Sequence, residues 1–443
     1  MPKQNLHKVI NEITAIDTHT HLGNEWIPQK FDAMEYARRL IVREYAYLHL
    51  LSAGAGKVME KNLPLNEEIS ELAPYLDSIK ATGTYSMTLD ALSDLYGFDG
   101  DFRNKRKVQK LIDRILAEYK YGEHIKWSEL FAKSNIELAL KNVELPYFDY
   151  LDSLPKDYRY VERKLFRATP RVDSFLYGIF DIHESEVMDI MSPHITKALD
   201  GTMKTLGQYP ATFKQYLDFV EACIEYNKRR GAVGMKLTIA YARSLRFEET
   251  PEKDAQRIFD NRNKITKTTE AIPFQNFIMR YILDLLAKYN LPLQIHTGLQ
   301  SGNDVNMPDC SPTTMANVFR DKRFKDVKFM ILHGGYPYTG ETGVLARTFA
   351  NVYLDFTWMV MLSPLACARC LSEWLQLVPS NKLMHGTDVH TAEDMYSISK
   401  RIRKVLAEVL GDFVKNWNLK EKDAIRIANQ ILRDNAIEVY SLK

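Results

Sequence analysis

Cysteine is scarce, with four residues, Cys223, Cys310, Cys367 and Cys370, in a chain of 443. That is too few to staple a chain of this length, so disulfides are not the organising force, and the usage fits a reducing compartment. Cys367 and Cys370 form a CxxC in PLACARCLSEWLQL. No second pair completes a tetrahedral site, and the stretch reads as an amphipathic helix carrying two thiols. Net charge is nearly absent as well, since 59 Lys plus Arg stand against 57 Asp plus Glu for a formal +2. Phosphate-driven binding needs a concentrated basic surface, so nucleic acid is not the expected partner. No apolar run reaches the roughly 18 residues of a membrane span. The N-terminal MPKQNLHKVINEITAIDTHTH lacks the apolar core of a signal peptide, and the expectation is a cytoplasmic protein with no membrane partner. Also missing are a Pro/Gly/Ser-rich linker, a low-complexity tract and an internal repeat, which leaves residues 1–443 as one domain. What is present, 45% hydrophobic and 26% charged residues, excludes disorder.

Short apolar or β-branched runs alternate with helical patterns, the sign of strands and helices around a parallel sheet. The candidate strands are Ile13 to Asp17, IELALKNVE from Ile136, YRYVERKLF from Tyr158 and AVGMKLTIA around Val233 to Leu237. Four more are LPLQIH ending at His296, VKFMILH ending at His333, NVYLDFTW ending near Trp358 and NKLMHGTD ending at Asp388. The later ones lie roughly 35, 25 and 30 residues apart, the length of a βα unit. Count and spacing together predict a (β/α)8 TIM barrel. Residues 25–133, after the first strand, and 176–230, after the third, are too long for simple crossovers. Both carry apolar positions three and four apart, as in TFKQYLDFVEACIEYNKR, and are expected to be large helical insertions on loops where barrel enzymes shape their pockets. The C-terminal DAIRIANQILRDNAIEVYSL is amphipathic and expected to close the last barrel helix.

Chemistry concentrates in Asp17-Thr18-His19-Thr20-His21. Side chains two apart on a strand share a face, so His19 and His21 can grip one ion. A lone HxH says little. His296 and His333, however, also end candidate strands at Gly-containing loops, and Asp388 ends the last one. Ligands from the C-terminal ends of different strands converge on one face of a barrel. Imidazoles plus a carboxylate suit a divalent ion such as zinc, with manganese, iron or cobalt as substitutes. Such an ion lowers the pKa of its water and polarises a substrate oxygen, while a neighbouring carboxylate moves the proton.

The order of IDTHTH, a Lys in GMKLTIAYARSL, IHTG, LHGG, GTD and the closing DNAIEVYSL resembles the amidohydrolase superfamily over nearly the whole chain. It is similar in particular to the amidohydrolase-related branch of barrel metal-dependent hydrolases, to uronate isomerases, and to the amidohydrolase-like part of nodulin and glutamine-synthetase fusion proteins. The resemblance implies that His19, His21 and His296 are metal ligands, and that Asp388 both binds the metal and manages the proton of the nucleophilic water. His333 would be a second-metal ligand or, with one ion, a group that polarises substrate or orients water. One ion is favoured over two. Lys236 is the deciding residue: carboxylated, it would bridge two metals; as an ammonium it would attract a substrate carboxylate. Tyr241 and Arg243 follow it closely and join it as candidate substrate binders.

Arg171 and Asp173 are further candidates after the third strand, with a surface ion pair as the alternative. Trp358 could wall the pocket or be a half-buried core residue. His385 reads as a hydrogen-bonded core histidine and His390 as support for the ligands. His7, His49, His124, His183 and His194 receive no role. The expected activity is metal-dependent hydrolysis of an amide, lactone or ester bond in a small, carboxylate-bearing substrate. A uronate-isomerase-like or decarboxylase reaction at the same site is the alternative, and a non-catalytic barrel is a third reading. A homo-oligomer is the general expectation for such a protein.

Overall fold

Among the residues described by the computed structural model, 2–23, 31–184, 186–300 and 306–442, eight strands occur, all parallel. They are β1 (Ala15–Thr20), β2 (Ile136–Val143), β3 (Phe166–Pro170), β4 (Met235–Leu237), β5 (Leu293–Ile295), β6 (Phe329–Ile331), β7 (Val352–Asp355) and β8 (Leu383–Met384). Hydrogen-bonded ladders join β1-β2-β3 and β4-β5-β6-β7-β8 in sequence order. Backbone bonds cross both seams. An Arg171–Lys236 bridge links β3 to β4, where the Val172 N–H donates to the Lys236 carbonyl at 2.9 Å. Between β8 and β1, the Thr18 N–H donates to His385 at 3.3 Å and the Asp388 N–H to His19 at 2.8 Å. The strand order is that of a (β/α)8 barrel. The short strands β4 to β6 are buried at every position, Lys236 and Gln294 included.

The third strand lies later than the sequence suggests. Tyr158 to Leu165 belong to the helix Lys156–Leu165, and the chain becomes extended only at Phe166. The alternation of YRYVERKLF is misleading because Glu162, although charged, points inward. Its carboxylate accepts from Lys141 Nζ at 2.8 Å and from the Tyr147 hydroxyl at 2.6 Å, so Glu162 and Leu165 form one helical face. The C-terminus also departs from expectation. The last barrel helix is Ala392–Asn416, complete in itself, whereas Ala436, Val439 and Tyr440 pack on Ile16, Leu140, Met330 and Met384 and floor the barrel interior.

Between β1 and β2 lie the helices Ala33–Val42, Leu65–Ile79, Gly83–Tyr96, Lys105–Glu118 and His124–Lys133. Residues 25–30 at the start of the expected insertion lie outside the described residues. Asp32 and Asn104 cap two of these helices by accepting backbone N–H bonds. Tyr36, Leu40, Leu72, Leu76, Leu111 and Ile115 belong to a hydrophobic cluster separate from the main core. Between β3 and β4 run Glu186–Leu206 and Phe213–Arg230. The second starts at a Thr212/Gln215 capping box, and its Phe213 and Tyr216 rings pack on Phe274 of the helix Thr268–Tyr289, centroids 6.2 and 5.7 Å apart. No helix among the described residues is long and apolar enough to cross a membrane.

Polar contacts fasten the first set of helices to the start of Ala392–Asn416. The hydroxyls of Tyr36, Tyr96 and Tyr119 donate to Glu393 at 2.7, 2.5 and 2.7 Å. Beside it, Asp394 accepts from Thr88 at 3.1 Å and Thr391 at 2.8 Å. Burial, reinforced by the Glu393 charge, pushes the Asp394 carboxyl up to about 7 against the pull of the two hydroxyls. A native pKa above the unfolded one means that the folded protein holds the extra proton. Stability from this group is therefore present in acid and is lost as the pH rises towards 7. Asp394→Asn is expected to remove a slope approaching about 1.4 kcal/mol per pH unit between roughly pH 4 and 7. Urea unfolding of both proteins across that range checks it, and identical slopes would refute it.

Candidate metal centre

His19 lies on β1, His21 directly follows it, and Asp388 lies in the turn after β8. One ligand atom from each lies within 4.8 Å of the others. His21 Nε2 is 2.9 Å and His19 Nε2 3.4 Å from Asp388 Oδ1, and His333 Nδ1 is 3.6 Å from Oδ2. Burial holds both His19 and His21 below the usual imidazole range, which keeps them neutral, the form that binds metal. Burial opposes ionisation of Asp388, yet the imidazoles around it, His21 nearest at 2.9 Å, outweigh burial and hold the carboxylate well below its usual range.

The hydrogen bonds assign the protons. Gln294 Nε2 donates to the Thr18 carbonyl at 2.7 Å and to the Tyr440 hydroxyl at 2.9 Å, which leaves Oε1 to accept from His19 Nδ1 at 2.9 Å. His19 Nε2 then keeps its lone pair, is buried without a hydrogen-bond partner, and faces the Asp388 carboxylate. Two acceptors facing each other away from water repel, and a cation between them turns repulsion into coordination. This donor set fits a divalent ion.

His296 does not join the cluster. Its Nε2 donates to the Leu299 carbonyl at 3.1 Å, so its Nδ1 accepts from His333 Nε2 at 2.8 Å. With that lone pair engaged, His296 supports His333 and is not positioned as a ligand. His333, kept neutral by burial with its pKa pushed down to about 3, turns an acceptor towards Asp388. It has no donor left for a substrate oxygen in this arrangement.

Backbone strain marks the same place. His333, Trp358 and Asp388, which follow β6, β7 and β8, have φ of 61°, 70° and 60°. Left-handed backbone at a non-glycine residue costs roughly 1–3 kcal/mol and persists only where its surroundings enforce it. Gly386 shows how tight the β8 turn is, since a Cβ there would lie 2.5 Å from Thr357 Oγ1 and 2.6 Å from the His19 nitrogen. Trp358 walls the imidazoles, with ring centroids 5.2 Å from His333 and 6.4 Å from His296.

Lys236 lies within β4 and is only 1% exposed, so it is no rim residue. Burial, partly offset by Asp388, lowers its pKa to about 7. Arg171 is buried, its Nη1 2.8 Å from Glu144, so the alternative of a surface pair does not hold. Asp173 accepts the Thr238 N–H at 3.0 Å and joins β3 to β4. Tyr241 packs on His296 with centroids 4.6 Å apart. Arg243 departs from its expected substrate role: its guanidinium donates to Gln275 at 3.1 Å, Asn276 at 2.9 Å and the Ser244 and Arg246 carbonyls at 2.9 and 2.6 Å. It ties its loop to the helix Thr268–Tyr289. His385 is buried with neither ring nitrogen hydrogen-bonded, contrary to the reading of a bonded core histidine. His390 stacks on His21, centroids 5.0 Å apart and planes at 26°.

Sequence reading missed Gln294, although a signal was available: it lies two before His296 on β5 and thus on the same face. Gln294→Leu should weaken metal binding about 10–100-fold, the usual effect of removing a group that orients an imidazole ligand. Competition with a chromophoric chelator measures this, and an unchanged dissociation constant would remove Gln294 from the site.

Residues 206–442 match the family described as Amidohydrolase. Protein fluG of Emericella nidulans is 32% identical over 224 residues, 47% of this chain and 26% of that relative. The match thus takes in about a quarter of the relative's length. Among solved structures, uronate isomerase of Thermotoga maritima superposes with a TM-score of 0.76 at 14% identity, covering 99% of this chain and 97% of its own. Glucuronate isomerase of Caulobacter crescentus gives 0.76 at 15%, covering 100% and 94%. A candidate metal-dependent hydrolase of Lactobacillus casei gives 0.66 at 17%, covering 98% and 97%. Identities this low show a shared fold.

Proposed function

The chain belongs to the amidohydrolase family, and from that premise we propose that it is a metal-dependent hydrolase of an amide, lactone or ester bond in a small, carboxylate-bearing substrate. The observation that carries this reading is the His19 lone pair, fixed by Gln294 and aimed at the ionised Asp388 with nothing to bond. His19, His21 and Asp388 would hold one divalent ion, zinc being the ordinary choice for this donor set. When bound, such an ion acidifies a water and polarises the scissile carbonyl.

The chain's own residues supply the rest. Asp388 accepts the proton of the attacking water and hands it to the leaving group. His333 Nδ1, 3.6 Å from Oδ2, offers that proton a second acceptor. Lys236, in its protonated form, and Arg171 place positive charge within electrostatic reach of Asp388 and attract the substrate carboxylate. Trp358 and Tyr241 cover the imidazoles and exclude water from them.

A second reading, isomerisation of a uronate, draws on the likeness of fold to the two isomerases over nearly the whole chain. Reaction in labelled water separates the two. Hydrolysis incorporates one solvent oxygen into the product acid. Isomerisation exchanges a proton at the carbon next to the carbonyl and needs no solvent oxygen. If purified protein neither takes up a stoichiometric divalent ion nor loses turnover on chelation, both readings fail.

A further inference from the structure

The helices between β1 and β2 do more than surround the barrel mouth. The helix Ala33–Val42 ends at Arg43, and Glu44 follows with φ of 42°, a left-handed conformation that a glutamate adopts only under constraint. Arg38 and Arg43 both grip the buried Glu68 and anchor this turn from behind. The turn sends two consecutive side chains to the loop after β8. Glu44, held by Arg39, reaches to 3.9 Å from His390 Nε2, and His390 stacks on His21. The Tyr45 hydroxyl donates to the Asp388 carbonyl oxygen.

Asp388 needs such help, because its own backbone is left-handed. On the barrel side its N–H is held by the His19 carbonyl at 2.8 Å. On the other side its carbonyl has the Tyr45 hydroxyl, 343 residues distant in sequence. The residue is thus clamped at both peptide groups, once by the strand that carries His19 and once by the insertion. Removing either clamp lets the strained φ relax and swings the carboxylate away from His19 and His21.

We propose that Tyr45 is a positioning residue for Asp388, so that the insertion sets the geometry of the metal site it covers. The proposal rests on the metal-site reading above. Cobalt(II) is a suitable probe, since its visible spectrum reports ligand geometry and its dissociation constant needs no substrate. Tyr45→Phe removes one oxygen and keeps the ring. It should raise the cobalt dissociation constant about tenfold, as loss of a group that orients a ligand does, and shift the visible bands. Tyr96→Phe is the control, because it removes a hydroxyl of the same insertion that points to Glu393. It should lower the thermal midpoint and leave the cobalt constant within about twofold of wild type, far below the change expected at an orienting group.

Wild-type cobalt binding with an unchanged Tyr45→Phe variant would overturn the proposal and leave the metal reading standing. Equal weakening by Tyr96→Phe would overturn it too, by showing general loosening. Failure of the wild type to bind cobalt would sink the metal reading, and this one with it. Should Tyr45→Phe not fold, Glu44→Gln tests the same turn through His390 and His21: several-fold weaker cobalt binding supports the proposal, and wild-type binding refutes it.

Discussion

Asp388→Asn is expected to leave a folded protein that has lost at least about 10³-fold in kcat/KM, with weaker retention of the divalent ion. Two effects set the size. General-base catalysis by a positioned side chain is worth about 10²–10⁴-fold, and an amide cannot replace it. An anionic ligand is lost from a buried site where neutral His19 and His21 are the other donors. The fold, by contrast, should survive. Asn tolerates left-handed backbone better than most residues, so φ of 60° adds no new strain. The Tyr45 contact and the bond to the His19 carbonyl both use the Asp388 main chain and are untouched. The measurements are metal content and hydrolysis of a panel of lactones and nitrophenyl esters, with uronate isomerisation in parallel. A variant retaining a tenth of wild-type turnover would show that Asp388 does not move the proton.

Candidate site residues where a strand ends were legible in the sequence, because local pattern and local geometry coincide there. His19 and His21 two apart, His333 before GG and Asp388 in GTD each follow a buried apolar run, and the strand order brings them to one mouth. Supporting residues were less legible, because their partners are remote. Tyr45 and Asp388 touch across 343 positions, and Glu393 gathers three tyrosines from separate parts of the insertion. His296 was read by position alone. Its role turns on which nitrogen carries the proton, which the Leu299 carbonyl decides and no motif contains. Arg243 was misread for the same reason, since its acceptors Gln275 and Asn276 belong to a helix that closes over it in space. The Tyr158 run failed because period-2 alternation is a strand signal only while charged residues point outward, and Glu162 points inward to Lys141.

Glu393→Ala should cost about 3–6 kcal/mol, since it leaves three buried tyrosine hydroxyls without an acceptor at about 1–3 kcal/mol each with incomplete additivity. Glu393 is fully buried, as is Tyr119, while Tyr36 and Tyr96 are nearly so, and water cannot readily replace the lost carboxylate. Where the damage appears follows from packing. The insertion has a hydrophobic cluster of its own, so its helices can hold together while parting from the barrel. What remains to hold them includes the Thr88 to Asp394 bond and exposed pairs such as Asp90 with Arg401 and Asp94 with Lys400. Exposed pairs of this kind contribute about 0–1 kcal/mol. Hydrogen exchange should therefore accelerate first in Ala33–Val42, Gly83–Tyr96 and Lys105–Glu118, while β4 to β8 stay protected. Tyr96→Phe, which leaves Glu393 two donors, should show the same regional pattern at about 1 kcal/mol. Uniform acceleration across insertion and barrel would mean that the two unfold as one unit. Release of the insertion also withdraws Tyr45 from Asp388, so Glu393→Ala should lose the divalent ion under conditions in which the barrel itself remains folded.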